Sequence, residues 1–368
     1  MSQHFHPLRV AAIEPESDSA KVIRFELPPE LREVFAFEPG QYLTLRATVG
    51  GEDLRRSYSI CSAPHEGRLC VGVRKVFDGR MSGWIHDRLQ VGDTLEVFPP
   101  QGRFGRFGRI DAAATGTPGA APHYLAVAAG SGITPILSLL KSLLQREPDC
   151  RFTLVYGNRR VAGTMFKEVL EDLKNQYLER LAIHWVFSNE AVDSDLFAGR
   201  LDYAKLTRFF RIGLLRAESL SQAFICGPQG MNDQAEAALR DAGMAPDSVH
   251  VERFGTAEMQ HGQAAPHEHH AEDAGEAHIT VWRDGFKRSF DLDESDASIL
   301  DAAERHGLDL PYSCRSGVCA TCRCKVLVGE VRMDRNFSLD AKEVAAGFVL
   351  ACQAHALTDE VTLSFDER

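Results

Sequence analysis

Residues 311–324 read PYSCRSGVCATCRC, which places Cys314, Cys319, Cys322 and Cys324 in one short loop-like stretch. The chain holds nine cysteines, an odd number spread unevenly. Its opening, MSQHFHPLRV, lacks the basic-then-apolar layout of an export signal. A disulfide framework is therefore not expected, and the expected compartment is the cytoplasm. Crowded thiols in such a chain point to a metal or redox site.

The spacing decides which. Cys314 to Cys319 is C-x4-C and Cys319 to Cys322 is C-x2-C, with Cys352 alone downstream to supply a distant fourth thiolate. This is the plant-type [2Fe–2S] pattern, in which one loop wraps closely around the inorganic sulfides. Gly317 and the small residues Ser313, Ser316, Ala320 and Thr321 let the backbone approach and donate N–H bonds to sulfur. Zinc is the competing reading, but zinc knots favour two paired C-x2-4-C motifs and only one is present. Cys314, Cys319, Cys322 and Cys352 are the expected ligands. Cys324 is the spare, two residues along a strand from Cys322 and about 6–7 Å further on.

Working outward, ITVWRDGFKRSFDL alternates like a hairpin, and SDASILDAAERHG carries Ile299, Leu300 and Ala303 on one helical face before Gly307. Strand, strand, helix, thiol loop, strand: residues 278–368 resemble the plant-type ferredoxin domain, a β-grasp fold. At 368 residues and about 150 per domain, the chain has room for one or two more. Its 44% hydrophobic and 25% charged content are those of a globular protein. No apolar run reaches the roughly 18 residues of a membrane span. A net charge of −11 excludes a nucleic-acid binder, which needs a basic surface.

Residues 41–60, QYLTLRATVGGEDLRRSYSI, form two alternating runs around a Gly-Gly turn. The second run ends in Arg56-Ser57-Tyr58-Ser59. After the strand-like RLCVGVRKV comes Gly79-Arg80-Met81-Ser82 and a helical pattern. R-x-Y-S followed by G-R-x-S resembles the flavin-binding antiparallel β-barrel of the ferredoxin–NADP reductase family. That resemblance implies FAD, with Arg56 on its pyrophosphate, Tyr58 against the isoalloxazine, Ser59 near N5 as a catalytic residue, and Ser57, Val73 and Lys75 in the same site. Gly79 to Ser82 lead into a helix whose positive end suits the pyrophosphate.

Beyond Phe104 a Gly/Ala-rich stretch marks a boundary. HYLAVAAGSGITPILSLLKSLLQRE then reads as strand, glycine turn and helix, with Gly130, Ser131 and Gly132 in the turn, Thr134 as N-cap and Pro135 as first helical residue. Alternating strands and helices follow, hence a parallel α/β sheet. Cys226-Gly227-Pro228, with Met231 beyond, resembles the family's turn beside the nicotinamide and makes Cys226 the second candidate catalytic residue. Cys226 equally suits a small buried position. Asn158, Arg159 and Arg160 stand where this family sets ribose selectivity. Arginines there suit the 2′-phosphate of NADPH over NADH. Phe254 matches the position of an aromatic over the flavin.

The expected organisation is 1–104 FAD barrel, 105–121 connector, 122–255 NAD(P) domain, 256–277 His-rich tether and 278–368 ferredoxin domain. His267, His269 and His270 in the tether read as incidental rather than ligating. The order resembles oxygenase reductases, and RRSYSICSAP, VYGNRRVAGTMFKEVLEDLKNQYLERL and AGRLDYAKL carry that likeness further. The resemblance implies NADPH-to-FAD-to-cluster electron transfer and a partner that is a multi-subunit di-iron oxygenase. Another oxygenase, such as a ring or steroid hydroxylase, and a redox-sensing protein without turnover are the alternatives. Residues 278–368 carry sixteen acidic and eleven basic side chains, seven of the acids between Asp291 and Asp309. Such a face either steers docking or is a solvated helix surface.

Overall fold

The computed structural model describes residues 4–105, 121–254 and 269–367. Most of the 105–121 connector and the tether as far as Glu268, His267 included, therefore lie outside the described residues. Two compact units are present, one made chiefly of residues before 255 and the other of residues after it.

The first unit opens with β1 (His6–Ser17), β2 (Ala20–Phe25), β3 (Tyr42–Val49), β4 (Glu52–Ser59), β5 (Leu69–Arg74) and β6 (Thr94–Gln101). They pair in the order β4-β3-β6-β1-β2-β5. Just beyond β4, Ile60 bridges Val71 of β5, so the two edges meet and the sheet closes into an antiparallel barrel. Alternating residues fill it: Leu8 and Val10, Ile23 and Phe25, Val71 and Val73, Leu95 and Val97, joined by Ile85 of α1 (Arg80–Asp87). Each such burial is worth about 1.5–3 kcal/mol. Gly50 and Gly51 take φ of 63° and 87°, as a two-residue hairpin turn requires.

The same unit continues with β7 (His123–Ala129), β8 (Arg151–Asn158), β9 (Leu181–Phe187), β10 (Gln222–Cys226) and β11 (Val249–Glu252), ordered β11-β10-β7-β8-β9 and parallel throughout. The connecting helices are α2 (Ile133–Arg146), α3 (Lys167–Gln176), α4 (Tyr203–Arg211) and α5 (Gln229–Asp241). From β7 the chain builds first towards β8 and later towards β10, so strand order reverses there. A crevice at the carboxyl ends of β7 and β10 follows from that reversal. Barrel and sheet share a core in which Cys61, Cys70 and Phe104 pack with Leu137, Leu140 and Phe224. Ser138 donates to the Ser62 carbonyl at 2.7 Å and Lys141 pairs with Glu66 at 3.1 Å.

One local expectation is corrected. Gly130–Gly132 form a 3-10 turn that runs straight into α2, so Gly132 is the N-cap and the helix starts at Ile133. Thr134 lies inside the helix, its hydroxyl donating back to the Ser131 carbonyl at 2.9 Å rather than accepting from the next turn.

The second unit contains β12 (Glu276–Arg283), β13 (Phe286–Asp293), β14 (Arg323–Val328), β15 (Val331–Met333), β16 (Phe348–Leu350), β17 (Ala354–Ala356) and β18 (Glu360–Ser364), with α6 (Ile299–Arg305) and α7 (Ala341–Ala345). Its main sheet runs β13-β12-β18-β14-β16, with β12 and β18 parallel. Ser298 caps α6 by accepting from the Asp301 N–H, and Gly307 leaves the helix at φ 74°. Residues 269–275 pack with this unit: the Ala274 N–H donates to the Ala356 carbonyl at 2.9 Å, and Asp273 pairs with Arg332. The end of the expected tether is thus folded.

Candidate functional site

On the barrel, β4 carries Arg56 exposed, Ser57 and Tyr58 half-buried and Ser59 buried at its end. Arg56 donates to the Arg55 carbonyl at 2.7 Å. Beyond β5, Gly79 caps α1, and the Ser82 hydroxyl accepts from the Val76 N–H at 3.1 Å while donating to the Gly79 carbonyl at 3.2 Å. A β-carbon at Gly79 would lie 2.5 Å from that hydroxyl, so the turn admits only glycine without rearrangement. Arg80 ties the turn to the hairpin through Glu52 at 2.6 Å and the Val49 carbonyl at 3.1 Å. Lys75, paired with Asp87 at 2.7 Å, joins Gly79, Arg80 and Trp84 around a cavity of about 390 Å³. Val73 and Met81 point into the barrel core, so only their backbone faces outward.

At the crevice, the β7–α2 and β10–α5 turns meet. A β-carbon on Gly132 would lie 2.0 Å from the Cys226 carbonyl oxygen, and one on Gly227 would lie 2.6 Å from Met231 Cε. Glycine at both positions lets the two turns meet backbone to backbone, each at the start of a helix, where N–H groups suit a ligand's phosphates. Gly130 holds φ 54°, and its carbonyl accepts from the Tyr156 hydroxyl at 2.9 Å. Ser131 lies in the same turn, and Pro135 is buried in α2. Pro228 caps α5, accepting from the Met231 N–H at 2.9 Å. Asn158 ends β8, and beyond it Arg159 and Arg160, with Arg74, Gly163 and Asn189, line a cavity of about 350 Å³ whose single acidic lining residue is Asp18. Arg74 reaches this place from the end of the barrel strand β5. Sequence reasoning missed it because it belongs to no motif.

Cys226 is fully buried, and burial pushes its thiol well above the usual range, so it stays neutral. Opposite it on β11 stands Glu252, whose carboxyl is raised by burial to about 8. A carboxyl raised this far favours its protonated form at neutral pH. Its signal in the sequence was an acid within the strand VHVERF. Phe254 follows it, partly exposed.

In the second unit Cys314, Cys319 and Cys352 all lie near enough to Cys322 to act on its thiol. The Ser316 and Cys319 N–H groups each donate to Cys314 Sγ at 3.4 Å, and the Cys314 N–H donates to Cys319 Sγ at 3.4 Å. Hydrogen bonding from Cys319, with backbone N–H groups, lowers Cys314 below the ordinary thiol range. Cys322 interacts directly with Cys352, and Gln353 Nε2 approaches Cys352 Sγ at 3.7 Å. Arg315, Gly317 and Ala320 all take positive φ, which folds the loop around its sulfurs. N–H groups aimed at sulfur suit thiolates bound to iron. Cys324 is wholly buried in the same hydrophobic core as Cys322 and Cys352, but its Sγ approaches the Val349 carbonyl at 3.9 Å.

The acidic stretch proves largely paired. Arg305 bonds Asp293 and Asp296, Arg315 bonds Asp301 and Glu304, and His278 bonds Asp291. Among the described residues no helix is long and apolar enough to cross a membrane.

Comparison with known proteins accounts for all three regions. Residues 7–105 match the oxidoreductase FAD-binding domain, 126–237 the oxidoreductase NAD-binding domain and 282–357 the 2Fe-2S iron-sulfur cluster binding domain. The chain is 44% identical over 99% of its length to one of the subunits of 1,2-phenylacetyl-CoA epoxidase of Escherichia coli (strain K12), covering 98% of that protein. It is 34% identical over 97% of its length to the ferredoxin reductase component of 3-ketosteroid-9-alpha-monooxygenase of Rhodococcus rhodochrous, covering 96% of it. The solved structure of phthalate dioxygenase reductase shares the fold at a TM-score of 0.56 and 24% identity, with 98% of each chain covered. With its FAD-, NAD- and [2Fe–2S]-binding domains in this order, the chain belongs to the family of electron-transferring oxygenase reductases.

Proposed function

We propose that this reductase draws electrons from NADPH and delivers them to a multi-subunit di-iron oxygenase acting on phenylacetyl-CoA, in the cytoplasm. The observation that carries the acceptor is identity of 44%, along essentially the whole chain, to a subunit of 1,2-phenylacetyl-CoA epoxidase. The donor reading rests on Arg74, Arg159 and Arg160 around one cavity, three guanidinium groups against a single carboxylate. A 2′-phosphate is the charge such a cavity suits.

Gly130, Ser131, Gly132, Gly227 and Pro228 supply the bare turns that seat the dinucleotide. Arg56, Tyr58 and the Gly79–Ser82 turn hold FAD, with Ser59 and the neutral Cys226 beside the reacting rings. Cys314, Cys319, Cys322 and Cys352 hold the cluster. When bound, flavin and cluster together convert a two-electron hydride donor into a one-electron supply. The protein's own contribution is to orient these groups, exclude water and keep a proton on Glu252.

Reconstitution tests the acceptor. The chain is combined with the catalytic subunits of a phenylacetyl-CoA epoxidase, and substrate-dependent NADPH oxidation is followed. Coupled turnover is expected. Equal or better support of a ring or steroid hydroxylase, with none for the epoxidase, would assign the chain to that other class.

A further inference from the structure

Three side chains outside the redox sites converge where the tether joins the C-terminal unit. His269 Nδ1 lies 4.0 Å from Asp273 Oδ2, and His355 Nδ1 lies 3.8 Å from the same oxygen. The ligand atoms of all three fall within 4.8 Å of one another. His355 and Asp273 are almost wholly buried, with side-chain exposures of 4% and 7%, whereas His269 is open to solvent at 47%. We propose that His269, Asp273 and His355 bind one divalent cation of the zinc class and so fasten the end of the tether to the C-terminal unit.

Donor type and arrangement carry this. Two imidazoles and a carboxylate are a zinc donor set, and tetrahedral zinc with bonds of about 2.0–2.1 Å separates its ligands by roughly 3.3–3.5 Å. The two distances to Asp273 Oδ2 need close by about 0.3–0.7 Å, and the histidine-to-histidine spacing, at most 4.8 Å, by no more than about 1.5 Å, which a turn of the exposed His269 side chain can supply. His355 Nε2 meets Asp334 Oδ2 at 2.9 Å. A carboxylate behind one ring nitrogen fixes the ring and leaves the other nitrogen to face the metal, the usual support of a ligating histidine.

Charge balance agrees. Asp273 and Asp334 contribute two negative charges and Arg332, bonded to both, contributes one positive. Asp273 Oδ2 already accepts from Arg332 Nη2 at 2.5 Å and from the His270 N–H at 2.8 Å. Metal binding displaces the first, while Arg332 keeps its bonds to Asp273 Oδ1 and Asp334 Oδ1, both 2.5 Å. His270 takes part through its backbone only, so its ring is not a ligand.

The test uses full-length protein with flavin and cluster in place, stripped of loose metal with a chelator and titrated calorimetrically with zinc chloride. One zinc per chain is expected with the iron content unchanged. His269→Ala should weaken binding at least about tenfold, and Asp334→Asn by a similar factor. His270→Ala should bind as wild type does. Because His269 is exposed, its variant should keep the visible spectrum and pyridine-nucleotide oxidation. The site is refuted by absence of saturable binding, by affinity unchanged in His269→Ala, or by an equal loss in His270→Ala, which would assign zinc to the histidine tract at large.

Discussion

Gly132 and Cys226 belong to different strand-to-helix turns, yet a β-carbon on Gly132 would stand 2.0 Å from the Cys226 carbonyl oxygen. The two carboxyl-terminal strand ends that flank the crevice are therefore in backbone contact. Gly132→Ala must push them apart. Overpacking of this kind costs about 1–3 kcal/mol. If the two turns seat the nucleotide as proposed, displacing them should also raise KM for the nicotinamide donor tenfold or more, since a misplacement of about 1 Å costs some hundredfold in rate. Urea melts and stopped-flow flavin reduction measure the two effects; normal donor kinetics in a destabilised variant would separate packing from binding.

Cys324 shares its strand with the thiol loop but is buried in the hydrophobic core. Cys324→Ser should retain the reddish-brown spectrum and full iron content, at a cost of about 1–3 kcal/mol for a hydroxyl in an apolar place. Cys319→Ser should lose the cluster. Comparable iron loss in both variants would mean that the ligand set includes Cys324.

NADPH preference should weaken in Arg159→Ala with Arg160→Ala. A charge-assisted bond is worth about 1.5–3 kcal/mol, or roughly tenfold to a hundredfold in discrimination. Because Arg74 lines the same cavity from the barrel side, the triple variant should discriminate less than the double. The ratio of kcat/KM for NADPH to that for NADH is the measurement, and a ratio unmoved in the triple variant places selectivity elsewhere.

The parts of the fold that local pattern controls were readable. The Gly50-Gly51 hairpin, the x4–x2 thiol spacing and the helix between Ser298 and Gly307 each depend on neighbours within a few residues. Arg74, Glu252 and Asp273 were not, because each acquires its role from strands or turns distant in sequence. Thr134 shows a subtler limit: its residue type suits a cap, but a 3-10 turn begins the helix before it. The charge count has a limit of another kind. Five of the seven acids between Asp291 and Asp309 contact Arg305, Arg315 or His278, pairings that a count of acids does not reveal.

Glu252 should make stability depend on pH. Its ordinary carboxyl value is 4.5 and burial raises it to about 8 in the folded protein. Below 4.5 folded and unfolded chains both hold the proton. Between 4.5 and 8 only the folded chain does, so stability falls as pH rises through this window, and above 8 the penalty is fully present. Glu252→Gln should flatten that dependence and raise the melting temperature above pH 8. Parallel melting curves for the variant and wild type across the window would show that Glu252 titrates normally.

Truncation after Phe254 tests the division of labour. The clusters that stabilise the barrel and the parallel sheet contain no residue beyond Val251, and the C-terminal cluster contains none before Ala274. Two separate cores predict that residues 1–254 fold without the rest and melt cooperatively. The matched FAD- and NAD-binding domains lie within those residues, so hydride transfer to the flavin and its reoxidation by two ferricyanide ions, one electron to each, should persist at close to the full rate. Delivery to the oxygenase should stop, because the loop carrying Cys314, Cys319 and Cys322 is gone. Adding the separate C-terminal unit, residues 255–368, loaded with its cluster, should restore transfer only at high concentration, since the covalent link supplies an effective concentration that free diffusion lacks. Undiminished oxygenase turnover by residues 1–254 alone would show that electrons leave directly from the flavin and that the cluster is not on the route.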